Sequence, residues 1–312
     1  MDLDTDLGGQ LRARLTAPAV TQLEELIGRH DEPEIYGGPA GDPGLAGGPG
    51  SISWEINGDL ASLGIAGGGA ILMEVLHPSV MAGVFTQSSY RTEPLARLQN
   101  TLGYVLRTTF GSTEGATTVI DRVRRIHGFV EGVRPDGVAY KALDPELIGW
   151  VHTCIPWAVM TAYDRYRRPL STAEKDRYLR EQAVIGRMGG AADVPESTAE
   201  LDEYLREMQG RMAFTQQTAE FVEFMVGRSG DYPTNAWNRR ELWLDLHASM
   251  SLMPRWARVL TGTDHGEPFR RLVLEPRIRT RTAIVRFLMP ELPCTALARD
   301  RATADVGAVR AA

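Results

Sequence analysis

His127 lies in the run Val119-Ile120-Asp121-Arg122-Val123-Arg124-Arg125-Ile126-His127-Gly128-Phe129-Val130, where helical spacing puts it on one stripe with Val119, Val123 and Val130. An imidazole on an otherwise apolar face must hydrogen-bond within the core or bind something, because burying a polar ring without a partner is costly. Arg124, three residues earlier, adds a cation on nearly the same face. A neutral imidazole with an arginine one turn away suits an iron ligand whose cofactor carries carboxylates. From pattern alone such a histidine is more often a satisfied core residue, and His152 and His247, also in apolar helical contexts, are rival ligands under the same reading. His30 and His265 sit in polar, loop-like sequence.

A second set of candidates lies between Pro94 and Thr109. One apolar stripe carries Leu95, Leu98, Leu102 and Val105; another carries Arg97, Thr101, Tyr104 and Thr108. Spacings of four, three and four align these polar groups, either toward an interior cavity or along a solvent face. Glu74-Val75-Leu76-His77 is a Glu-x-x-His unit of the kind di-iron carboxylate bundles use in pairs. No other histidine has a glutamate three residues before it, and His77-Pro78 reads more simply as a helix end or kink.

Composition excludes several classes. The net charge is -6, and the arginine-rich stretches Arg122, Arg124, Arg125 and Arg277, Arg279, Arg281 are interleaved with apolar residues, so nucleic acid is not expected as a partner; a solvated face or internal ion pairs account for them. The only lysines are Lys141 and Lys175, and neither follows a glycine as a Walker loop requires. Cys154 and Cys294 are too few for a disulfide framework or thiolate cluster. No Gly-x-Ser-x-Gly elbow occurs. Gly64 to Gly69 lacks the flanking strand and ribose-binding acid of a dinucleotide loop and reads as a site of close helix packing. The acidic start Met1 to Asp6 lacks the features of a secretory signal, so a cytoplasmic location is expected. Leu60 to Leu76 is too short and too glycine-rich for a membrane span and is expected as a buried core helix.

The elements that must position these residues are helices. A short one is expected over Thr21 to Arg29, then a long loop or wrapped arm over the Gly/Pro-dense Tyr36 to Pro49, then successive helices from about Leu60. Asp144-Pro145-Glu146 starts a helix, and Ser171 with Glu174 and Ser197 with Glu200 each fit a capping box. Arg134 to Gly137 is a turn after the His127 helix, leading to an extended piece over Val138 to Ala142. Residues 193–196 and 228–233 read as interhelical loops, and Ala296 to Ala312 as a frayed tail. The resulting division is an N-terminal helix and arm (1–50), one helical domain (51–290) and a C-terminal tail (291–312), in an all-α fold.

Ser51 to Glu55 through Leu76-His77-Pro78, Tyr90 to Leu98, Phe110-Gly111-Ser112, Arg124 to His127, Tyr140 to Pro145, Trp150-Val151-His152 and Arg168 to Ser171, in that order and spacing, resemble the catalytic domain of bacterial rubber oxygenases (latex-clearing proteins) and the fungal oxygenase of the mycophenolic acid pathway. The resemblance covers about residues 50–215. It implies a globin-like multi-helix bundle enclosing one haem b, whose proximal histidine follows an arginine by three positions, here His127 after Arg124. It also implies a distal arginine and threonine four residues apart, here Arg97 and Thr101, with Tyr104 beside them. Glu74 is the nearest candidate for a distal base, although its spacing to Arg97 departs from the family pattern. The implied activity is that of a haem-dependent oxidoreductase that uses dioxygen or a peroxide on a small lipophilic metabolite, by oxygenation, oxidative C=C cleavage or desaturation. A non-catalytic haem- or lipophile-binding protein and a non-haem di-iron oxidase are the alternatives.

Overall fold

A computed structural model describes residues 32–225 and 236–304, together with positions 17, 18, 20, 21, 23–25, 27 and 28. Among the described residues the chain is all-α apart from one hairpin. The helices are α1 (helical positions between 17 and 27), α2 (Pro33–Tyr36), α3 (Ile52–Asn57), α4 (Leu60–Glu74), α5 (Pro78–Gln87), α6 (Pro94–Phe110), α7 (Thr113–His127), α8 (Pro145–Tyr166), α9 (Thr172–Gly189), α10 (Thr198–Gln209), α11 (Gln216–Met225), α12 (Ala236–Met250), α13 (Arg255–Leu260), α14 (Glu267–Phe269), α15 (Glu275–Leu288) and α16 (Pro293–Thr303). A π-helical turn, Arg270–Leu274, joins α14 to α15. Strands β1 (Glu131–Val133) and β2 (Ala139–Lys141) pair antiparallel, with Gly132 opposite Tyr140.

The expected core helix is α4. It packs most extensively on α8 and is also flanked by α12 and α15, so apolar residues surround it as a helix buried on several sides requires. Its glycines serve packing: a Cβ on Gly68 would lie 2.6 Å from Ser249 Oγ, and one on Gly69 would lie 3.2 Å from the Ser249 carbonyl, so α12 crosses where side chains are missing. Asp59, just before α4, spends its buried carboxylate on Arg286 of α15 (2.8 and 2.6 Å). Among the described residues no single helix is long and apolar enough to cross a membrane; α4 and α5 pass that test only together, bent by 108°.

Several local expectations hold. Asp144 Oδ1 accepts the Glu146 N–H at 2.9 Å to start α8, and Ser171 with Glu174 forms the full capping box of α9. Ser197 caps α10, but Glu200 turns its carboxylate to the Glu196 N–H (2.8 Å), so only half of that box forms. The extended piece is one arm of a hairpin whose first strand precedes the Arg134 to Gly137 turn. The expected fray from Ala296 is corrected: α16 runs to Thr303, because Cys294, Ala298 and Arg301 are buried in the core. The loop expected at 228–233 lies outside the described residues.

The Gly/Pro-dense segment is a loop wrapped over the ends of α6 and α7. Gly44 has φ +69° there, and a Cβ would stand 2.3 Å from the Gly111 carbonyl, so only glycine fits. Asp42 accepts the Thr113 N–H at 2.7 Å, joining the loop to the first turn of α7.

Candidate active site

Arg97 of α6 lies within electrostatic reach of Glu74 at the end of α4 and of His127 at the end of α7, and it is hydrogen-bonded to Thr101. Glu74 is the last residue of α4, and that helix end is fixed by its neighbours: Trp150 Nε1 of α8 donates to the Glu74 carbonyl (3.2 Å), Thr218 Oγ1 to the Val75 carbonyl (3.3 Å), and the Ala213 N–H to the Leu76 carbonyl (2.9 Å). Orphan carbonyls of a helix end are thereby satisfied from three directions. Arg97 and Thr101 stand one turn apart on α6, where Arg97 Nη1 donates to Thr101 Oγ1 (3.0 Å) and that hydroxyl donates to the Arg97 carbonyl (3.1 Å). His127 closes α7, followed by the Gly128 cap.

The polar stripe of α6 is partly buried. Arg97, Thr101 and Tyr104 are half-buried and Thr108 is buried, its hydroxyl on the Tyr104 carbonyl (2.8 Å), while Leu98 of the opposite stripe is exposed. On the apolar stripe Val105 is buried and Leu102 packs on the core, so the polar stripe is a partly buried flank and not a plain solvent face. On α7 the deepest face is Gly115, Ala116 and Ile120; Val119, Val123, His127 and Val130 form a half-buried flank rather than a core face.

Electrostatics couples the group. The Glu74 carboxyl is buried with no hydrogen-bond partner among the described residues, and burial lifts its pKa to about 7 against the opposing pull of Arg97. The same guanidinium, after burial, holds His127 below the usual histidine range, which keeps the imidazole neutral. No described residue hydrogen-bonds the His127 ring, so a neutral ring nitrogen is available as a ligand. Burial lifts the Tyr104 phenol to about 12, so it stays protonated. Arg124 lies outside this interior group: it is exposed and donates to the Met188 carbonyl at 3.3 Å.

Cys154 belongs to the group and was not singled out from sequence. Its thiol is fully buried and pushed far above its ordinary pKa, first by burial and then by Glu74, so it is a neutral neighbour and no nucleophile. Sequence carries only the four-residue spacing that puts Cys154 on the helix face of Trp150; that this face meets the end of α4 is seen in the structure alone.

Two of the rival residues, His77 and His247, are engaged elsewhere. His77 caps α5, its Nδ1 accepting the Ser79 N–H at 3.2 Å, which makes Glu-x-x-His a helix end. Among the described residues no cluster of three or more His, Cys, Asp or Glu could hold a metal ion. His152 donates to the Gln182 carbonyl from one ring nitrogen while its Nε2 is buried without a hydrogen-bond partner among the described residues; burial pushes it to about 4, and its ring packs where a Cβ on Gly186 would be, 2.5 Å from Cδ2. His247 shares a 2.9 Å hydrogen bond with His265, a partner that sequence alone did not suggest, and its ring lies 4.0 Å from that of Trp243.

A sequence model of the family described as "ER-bound oxygenase mpaB/B'/Rubber oxygenase, catalytic domain" matches residues 54–290, a span that holds every residue of the cluster. Neither the curated proteins nor the solved structures contain a match to the chain.

Proposed function

The chain belongs to this family of oxygenase catalytic domains, and from that premise we propose that it is a haem-b-dependent oxygenase acting with dioxygen or a peroxide on a small lipophilic metabolite. The observation that carries the proposal is the placement of Arg97, within electrostatic reach of both a neutral imidazole free of hydrogen bonds and a buried glutamate poised near neutrality. The residues present fit the group: His127 would bind the iron through its neutral ring nitrogen, and Arg124, exposed at the same end of α7, would hold a carboxylate of the cofactor with its planar fork. When bound, haem b supplies the one-electron and dioxygen chemistry that no side chain here can perform.

The chain's own residues do the remaining work. Arg97, held in place by its hydrogen bond to Thr101 Oγ1, presents its remaining guanidinium N–H donors to the oxidant or to a polar group of the substrate. Glu74 can take up or release a proton at its carboxyl near neutral pH, which suits a general acid or base. Tyr104 contributes a hydroxyl that does not ionise. The lipophilic substrate class is supported by the rubber oxygenases named in the family, whose substrate is a hydrocarbon. Oxygenation, oxidative C=C cleavage and desaturation all draw on the same cluster.

The test is an absorption spectrum with haem extraction on protein from haem-replete cells. Wild type is expected to show a Soret band and one haem per chain, His127→Ala to lose both, and His152→Ala to retain both. A haem-free wild type, or a normal Soret band in His127→Ala, would overturn the assignment.

A further inference from the structure

The end of α7 and the hairpin after it carry an unusual surface. Five large apolar side chains within 18 residues of chain are exposed: Ile126 at 54%, Phe129 at 81%, Val133 at 65%, Val138 at 48% and Leu143 at 40%. They are not scattered singly. Phe129 follows Ile126 in the turn that closes α7, Leu143 Cδ1 lies 3.8 Å from where a Cβ on Gly128 would be, and Val133 stands on the outer face of β1 while Tyr140 fills the inner one. An exposed apolar cluster of this kind marks an interaction site.

Its charge says what it meets. Residues 119–143 hold five cationic side chains and three carboxylates in a chain whose net charge is -6. Glu131 is paired with Lys141 (3.4 Å) and Asp136 with Arg134, which leaves the arginines of α7 in excess. Arg122 and Arg125 are exposed and make no ion pair or hydrogen bond among the described residues. At spacings of three and four they share one face of α7 with Ile126, and Phe129 follows in the turn that closes the helix. Guanidinium groups beside protruding aromatic and aliphatic side chains fit the headgroup region of an anionic bilayer, with the cations on phosphate and the apolar groups below it. A second copy of the chain fits less well, since a two-fold contact would place this arginine ridge against itself.

We propose that the α7 end and the β1–β2 hairpin form a docking surface for an anionic lipid bilayer. Docking there places His127, one residue from Ile126 and two from Phe129, at the membrane side of the molecule, so that a lipophile dissolved in the bilayer reaches the cluster without crossing water. Only that delivery role rests on the proposed oxygenase activity; the docking does not.

The experiment is co-sedimentation of the full chain with vesicles of phosphatidylcholine alone and of phosphatidylcholine containing about one-third phosphatidylserine. Binding is expected to the anionic vesicles, to weaken about tenfold or more in Arg122→Glu/Arg125→Glu and at high salt, and to weaken by a similar factor in Ile126→Ser/Phe129→Ser at every salt concentration. The Soret band and melting temperature of both double variants should match wild type, which separates failure of docking from failure of the haem assignment. No sedimentation of wild type, equal sedimentation of wild type and both variants, or a concentration-dependent dimer that Ile126→Ser/Phe129→Ser abolishes, would each overturn the proposal.

Discussion

Glu74 holds a proton because its carboxyl is buried and only Arg97 opposes that burial. Its pKa rises from the model-peptide value of 4.5 to about 7, so between those values the folded chain binds more protons than the unfolded one and loses stability as pH rises. The full penalty above neutrality is about 3 kcal/mol, from about 1.4 kcal/mol per pH unit. His77 and His152, both pushed down to about 4, act in the opposite sense, since the folded chain sheds their protons first and gains stability as pH rises from about 4 to 6.5. Glu74→Gln therefore isolates one contribution: its urea midpoint is expected to exceed that of wild type above neutral pH, with the difference vanishing near pH 4. If substrate turnover is followed as well, the inflection near pH 7 should disappear from the pH profile of the variant. At this scale His127, Arg97 and Thr101 were legible because a helix converts sequence spacing into a shared face. The pairing of His247 with His265 was not, because it joins two elements whose approach no local pattern encodes.

At the level of elements, the position of His127 depends on how closely α7 can approach the chain before it. A Cβ on Gly115 would lie 2.4 Å from the Ile35 carbonyl oxygen and 2.8 Å from its Cα, and backbone cannot step aside as a side chain can. Gly115→Ala is expected to displace the first turn of α7 at a cost of roughly 2 kcal/mol, lowering the melting temperature by several degrees and shifting His127 at the far end of the same helix. Gly64→Ala is the matched control. That glycine is exposed in the interior of α4 with nothing within 4 Å of an added Cβ, so the change should stabilise by up to about 1 kcal/mol. Calorimetry on the two variants reads opposite signs if packing, rather than helix propensity, governs Gly115. Helix starts were legible here because caps are local chemistry: Asp144 and Ser171 act within three residues. The first strand of the hairpin was not, because three residues of Glu-Gly-Val carry no alternation, and β1 forms only through pairing with β2 and the packing of Tyr140, whose hydroxyl lies 3.1 Å from that of Thr86 on α5.

Across the whole molecule, the C-terminal helix closes the fold over the N-terminal arm. Arg301 of α16 is buried and donates to three carbonyls far away in sequence: Tyr36, Asp42 (3.0 Å) and Phe110 (3.1 Å). An alanine-rich stretch with alternating charges gives no local sign of this, and a frayed tail was the natural reading of it. The burial follows from long-range geometry, since the arm lacks side chains to cover its own carbonyls. The clasp reaches the candidate site indirectly: it holds the segment from which Asp42 caps α7, the helix that ends in His127. Arg301→Ala leaves buried carbonyls unpaired, at a cost of roughly 3 kcal/mol. Arg301→Lys should recover little, because one ammonium group cannot span three carbonyls that the planar guanidinium reaches at once. Limited proteolysis is expected to show new cleavage within residues 37–50 in both variants, with α4 and α8 still protected. Cleavage indistinguishable from wild type in Arg301→Ala would mean that the arm is held by its own turns and that α16 contributes nothing to the placement of α7.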